Sequence, residues 1–183
     1  MRKPFIQITR HLYEEPYQLN LVILASNGLA SGGLEFYSNA SQLEKLGGAL
    51  RDFPSQDSAN HLFELGSERP EDNFGSYFRL RAHGKKKLTY VDNSRTRCYI
   101  QLRLNNNASV KDYIIDTPQL TDFNIEADFE SVRNLGALLV DFAKLEQQRL
   151  FWSPSEGLLD NELEFLDRRV GDNIEAALAS LPN

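Results

Sequence analysis

The sequence predicts an α+β protein: a twisted antiparallel sheet of about six to eight strands, two amphipathic helices on one face, and a third helix at the C-terminus. Three observations carry this reading. Short apolar stretches recur between turn-forming residues, which is the pattern of an antiparallel meander. Two longer stretches, near residues 40–53 and 128–149, place leucines and phenylalanines at helical spacing. The chain of 183 residues is long enough for one domain with a real core plus an appendage.

The strands begin at Phe5 to Thr9. From Gln18 to Ser26 the apolar run Leu21 to Ala25 is followed by Asn27-Gly28, two residues suited to the positive-φ positions of a tight hairpin turn. The return arm carries Ser31-Gly32-Gly33, so a bulge is expected before pairing resumes at Leu34 to Tyr37. A helix follows, capped by Asn39 or Ser41, with Glu44 placed to complete a capping box; Leu43, Leu46, Leu50 and Phe53 form its stripe and Pro54 stops it. Further strands are read at Leu62 to Leu65, Ser76 to Ala82, Leu88 to Val91, Arg97 to Leu104, Lys111 to Asp116 and Asp122 to Glu126. The longest helix then runs from Asp128 to about Arg149.

The two helices align without a gap at an offset of 89 residues: Leu46, Gly47, Leu50, Asp52 and Phe53 recur as Leu135, Gly136, Leu139, Asp141 and Phe142. The recurrence reads either as a duplicated sheet-then-helix unit, with repeats of about 1–54 and 59–149, or as two amphipathic helices drawing on the same few residues. A glycine inside a helix costs about 1 kcal/mol relative to alanine. That cost is offset if Gly47 and Gly136 allow close approach to the sheet or to each other. The first 149 residues form the expected α+β domain. Residues 150–183 are read as a turn over Phe151 to Gly157, with Trp152 as an anchor to the core, and a helix from Asp160. Its seam Leu163, Leu166, Val170, Ile174, Ala177 and Leu181 is narrow and could pack on its own domain or against a second subunit.

Strand parity sorts the middle of the chain into two faces. Phe78, Leu80, Ala82, Cys98, Ile100, Leu102 and Leu104 point one way; Tyr77, Arg79, Arg81, Arg97, Tyr99, Gln101 and Arg103 point the other. Between Tyr77 and Leu104 stand eight bases and one acid, a net +7, against −13 for the rest of a chain whose total is −6. Arginine beside tyrosine on an open sheet can grip an acidic protein surface through forked hydrogen bonds or stack on bases and hold phosphates. The overall negative charge weakens the nucleic-acid reading. Cross-strand pairing with Glu35 and Glu64 would instead make the same arginines ordinary sheet decoration.

Chemistry beyond binding is not indicated. His11, His61 and His83 lie far apart and show no metal-ligand spacing, Cys98 alternates with core residues, and phosphate-loop, nucleophile-elbow and dinucleotide motifs are missing. No catalytic residue, metal or cofactor is assigned. A single cysteine makes no internal disulfide, no signal-peptide stretch follows Met1, and no apolar run spans a bilayer, so the expectation is a cytoplasmic protein without membrane insertion.

The succession Leu34-Glu-Phe-Tyr-Ser-Asn, Leu43-Glu-Lys-Leu-Gly-Gly-Ala-Leu-Arg-Asp-Phe-Pro54, Phe63-Glu-Leu-Gly-Ser-Glu68 and Tyr77-Phe-Arg-Leu-Arg-Ala82 resembles small bacterial proteins of mixed sheet and helix, of the kind found among immunity proteins of toxin systems. The resemblance covers roughly residues 30–145 and carries over no site residue. The basic and aromatic sheet face points to a non-enzymatic module that binds a protein, in its immunity-like form the inhibitor of one toxin; a nucleic-acid-binding protein using the same face and an enzyme of unknown class are the alternatives. The expected partner is an acidic protein, or a second copy met through the sheet face or the C-terminal helix.

Overall fold

A computed structural model describes residues 3–11, 15, 17–55, 59–84, 97–107 and 119–161. The strands expected at Leu88 to Val91 and Lys111 to Asp116, the Lys85 to Lys87 tip and the helical seam from Leu163 onward lie outside these residues. The α+β class holds, with two helices and antiparallel pairing throughout. The nine described strands divide into two sheets, where the sequence reading had a single sheet.

Sheet A has the order β3-β2-β1-β8-β9, built from β1 (Phe5–His11), β2 (Leu19–Ser26), β3 (Ser31–Ser38), β8 (Arg149–Ser153) and β9 (Glu156–Asp160). Sheet B has the order β4-β5-β6-β7, from β4 (Asn60–Gly66), β5 (Ser76–Gly84), β6 (Arg97–Asn106) and β7 (Gln119–Asp128). The helices are α1 (Ala40–Arg51) and α2 (Phe129–Phe142). One apolar core joins everything: Ile8, Leu21 and Ile23 from sheet A, Leu80, Ile100 and Ile125 from sheet B, and Leu46, Leu50, Leu135 and Leu139 from the helices. Phe36 of β3 stacks on Phe78 of β5 with ring centroids 5.0 Å apart, tying the sheets together directly.

Local details depart from the sequence reading in four places. The β2–β3 connection is a four-residue loop in which only Gly28 has positive φ (90°). Asn27 spends its side chain instead, accepting from the backbone of Leu29 and Ala30 at 2.9 and 2.8 Å. Because that loop closes on Ser26↔Ser31, pairing continues unbroken through Gly32 and Gly33, and no bulge forms. At α1 the cap is Asn39, whose Oδ1 accepts from Gln42 N at 2.9 Å. That choice puts Gln42, not Glu44, three residues on.

The third and fourth departures are at the end of the chain's second half. α2 stops at Phe142, seven residues short of Arg149. The polar stretch after it turns at Leu145, which is left-handed (φ 63°), and Arg10 of β1 holds the turn, donating to the carbonyls of Leu145 (2.9 Å) and Gln147 (3.0 and 3.2 Å). Residues 151–157 are mostly strand: β8 and β9 form a hairpin whose turn is only Pro154-Ser155. The boundary drawn at residue 150 therefore falls inside a strand of sheet A, and Asp160 is the last residue of β9, paired with Arg149. Trp152 is fully buried and donates from Nε1 to Ser131 O at 3.0 Å.

The two halves share one plan. Caps Asn39 and Asp128 stand 89 residues apart, and each accepts from the backbone nitrogen three residues on. The order β3-β2-β1-β8 matches β7-β6-β5-β4, so the strand after each helix joins the sheet of the other half. The helices cross at Gly47 and Gly136. A Cβ on Gly136 would lie 2.7 Å from both Gly47 O and Leu50 C, and one on Gly47 would lie 2.7 Å from Val140 N. Both glycines are there because backbone meets backbone.

Candidate binding face

Sheet B turns one side to the core, and among the described residues no helix or strand lies over the other. Along β5, Phe78, Leu80 and Ala82 enter the core; along β6, Cys98, Ile100, Leu102 and Leu104 do the same. All six candidates, Tyr77, Arg79, Arg81, Arg97, Tyr99 and Arg103, stand on the opposite face, as strand parity requires. Both helices and sheet A lie on the core side, so no described element covers this outer face.

Register arranges the face in rows across four strands. One row is Glu64, Arg79, Arg103 and Asp122; the next is Leu62, Arg81, Gln101 and Asn124; a third is Asn60, His83, Tyr99 and Glu126. Two arginines directly opposite would repel. Here Asp122 accepts between them, 3.5 Å from Arg79 and 3.0 Å from Arg103, and Glu68 from the loop after β4 holds Arg103 at 2.7 Å. The hydrogen bonds that Arg103 donates to Glu68 and then to Asp122 raise its pKa above the ordinary value. Gln101 donates to the other oxygen of Asp122 at 2.9 Å.

Tyr77 is buried at one end of the face. Its hydroxyl donates to Glu64, and burial, followed by that bond, pushes its pKa up to about 12. Arg81 is exposed and donates from Nε to Asn60 Oδ1 at 2.8 Å. Arg97 pairs with Glu126 at 3.2 Å with both groups more than half exposed, a contact of small energetic value. His83 and Tyr99 stack with centroids 5.5 Å apart.

The described face thus sets four arginines, Arg79, Arg81, Arg97 and Arg103, against four carboxylates, Glu64, Glu68, Asp122 and Glu126. Among the described residues the arginines of the 77–104 window are matched by acids that arrive from β4, its following loop and β7, outside that window. Glu64 does face Arg79 in register, but Glu35 belongs to sheet A, where it accepts from Asn20 at 2.8 Å. Sequence reasoning placed Gln101 on the face and missed Glu68, Asp122 and Glu126 as its members. The alternation Asp122, Asn124, Glu126 against Phe123 and Ile125 was the available signal for the β7 residues.

The other candidates for chemistry are separate. The Cys98 thiol is buried and lies 3.4 Å from Ala127 O; burial, then the charge of Asp128, pushes its pKa up to about 12, which suits a packed thiol rather than a nucleophile. His61 is lowered by burial. Among the described residues there is no group of three or more His, Cys, Asp or Glu placed to hold a metal, and no helix is long and apolar enough to cross a membrane. No protein-family model, curated protein or solved structure matches the chain.

Proposed function

We propose that the chain is a non-enzymatic protein-binding module that offers the outer face of sheet B to a protein partner. The supporting observation is the preorganised row Glu64-Arg79-Arg103-Asp122. Ion pairs already hold its arginines, so little side-chain freedom is lost when a partner lands on the neighbouring row of Leu62, Arg81, Gln101 and Asn124. Leu62 is half exposed and gives that row an apolar contact beside the Arg81 guanidinium. The fitting partner presents a carboxylate to Arg81 and an apolar group to Leu62. The balance of charge among the described residues of the face favours such a partner over a polyphosphate, whose attraction rests on unopposed cations. In its immunity-like form the module inhibits one toxin and has one dominant partner.

The test is capture from the native host at physiological salt, with the captured protein then titrated against three chains. The unmodified chain binds, Leu62→Glu with Arg81→Glu binds at least about tenfold more weakly, a change of about 1.4 kcal/mol, and Lys144→Glu, beyond the end of α2, binds as the unmodified chain does. Equal binding by all three removes this face. Retention of nucleic acid with an affinity that falls steeply with salt would replace the protein reading.

A further inference from the structure

The chain between β4 and β5 forms a braced loop at one end of sheet B's outer face. Strand pairing ends at Gly66↔Tyr77, and the loop holds a single 3-10 turn over Pro70–Asp72 followed by a left-handed Asn73 (φ 53°). Asn107, just past β6, ties its two ends together. Its Nδ2 donates to Ser67 O at 2.6 Å and to Phe74 O at 3.1 Å, and its backbone nitrogen donates to Gly75 O at 3.0 Å. Inside the loop the Ser67 hydroxyl donates to Asp72 at 2.6 Å. Glu68 reaches across β5 to Arg103, so the start of the loop stands on the outer side of the sheet. The loop presents Phe74, 52% exposed, close in sequence to the exposed carboxylates of Glu71 and Asp72. From Ser67 to Gly75 three acids and one base give it a net charge of −2. An exposed aromatic on a backbone already fixed by hydrogen bonds loses little freedom on docking.

What the loop presents is what the far end of the same two strands accepts. Leu62 of β4 and Arg81 of β5 are register partners, both exposed, and together they fit an apolar group beside a carboxylate. We infer that the chain self-associates through this face, each copy laying Phe74 on Leu62 of the other and setting Glu71 and Asp72 beside the other copy's Arg81. The loop and the Leu62–Arg81 pair belong to the same strands, so a two-fold axis running across the strands exchanges them and makes both contacts at once. Charge complementarity then holds at both ends of the interface. From Phe74 to Arg81 is seven residues, about 24 Å at about 3.4 Å per residue, and four strands at about 4.8 Å spacing are about 14 Å across. A strip of that size belongs with transient interfaces, so the association is weak. Self-association by this route rests on the outer face of sheet B being the docking surface and names a second copy of the chain as its occupant.

Analytical ultracentrifugation of the full chain between about 5 and about 500 µM, the range of weak dimers, tests this. The unmodified chain is expected to pass from monomer to dimer across that range. Phe74→Ala, Arg81→Glu, and Glu71→Lys with Asp72→Lys should each weaken the dimer at least about tenfold. Mixing the Arg81→Glu chain with the Glu71→Lys, Asp72→Lys chain should restore it, because each reversed charge then meets a reversed partner. Variants that had merely lost their fold would not recover on mixing. A chain that stays monomeric at the highest concentration, a dimer that neither charge reversal weakens, or a mixture no tighter than its components overturns the self-association. If the monomeric chain still captures a protein that the Leu62→Glu, Arg81→Glu variant loses, the self-association falls and the protein-binding role of the face stands.

Discussion

Replacing Gly136 with alanine tests the helix crossing at the centre of the molecule. The new methyl would lie 2.7 Å from Gly47 O and Leu50 C, and closer still to Arg51 N, against an ordinary contact of 3.4 Å or more. All three atoms are backbone, so no side chain can swing aside and the helices must separate along their length. Overpacking of this kind costs about 1–3 kcal/mol, and backbone obstruction places it at the upper end. Alanine returns about 1 kcal/mol of helix propensity. The expected net loss is about 2 kcal/mol, or a Tm lowered by roughly 4–8 °C at about 2–4 °C per kcal/mol for a chain of this size. Gly48 is the internal control, because a Cβ there meets nothing within 4 Å; Gly48→Ala should stabilise by about 1 kcal/mol. Urea unfolding followed by circular dichroism measures both. A Gly136→Ala protein as stable as the unmodified chain, or a Gly48→Ala protein that loses stability, would show that the crossing is not set by these contacts.

Trp152 is the chain's single tryptophan and is fully buried against α2, so its fluorescence should shift to the red only on global unfolding, and Trp152→Ala should cost about 3–5 kcal/mol in the same urea titration. Tyr77 makes stability depend on alkaline pH. Its folded pKa is raised to about 12 from 10.0, so between those values the unfolded chain has given up a proton that the folded chain keeps. Its contribution is complete below pH 10 and is lost as pH rises toward 12. A spectrophotometric titration should show one of the seven tyrosines ionising last, and Tyr77→Phe should flatten the alkaline loss of stability.

How much of this was legible beforehand depends on the range of the interaction. Parity along β5 and β6, the stripe of α1 and the Gly47–Gly136 correspondence are properties of neighbours in sequence, and the structure keeps them. The hairpin β8–β9 was read as a turn because Ser153-Pro154-Ser155 dominates a stretch whose strand character comes from pairing with β1, far away in the chain. The same reason explains the charge. Arg79 and Arg103 look unopposed in a linear window, and only the β6–β7 register brings Asp122 beside them. The split into two sheets follows from which strands each helix separates, a matter of topology that periodicity does not encode.

The exchange of strands between the halves has a consequence for synthesis. Residues 5–51 contain three strands and a helix, but β1 lacks its second neighbour, β8, and α1 lacks the helix it crosses until about 100 further residues exist. Ile6 meets Trp152 only after 146 intervening steps of translation. At about 5–20 residues per second, that is roughly 7–30 s during which the outer edge of β1 has no strand to pair with. Sheet B, by contrast, is contiguous from residue 60 to 128 and can close first. The half made first is therefore the half completed last, and until then the free edge of β1 is the nascent chain's vulnerable surface.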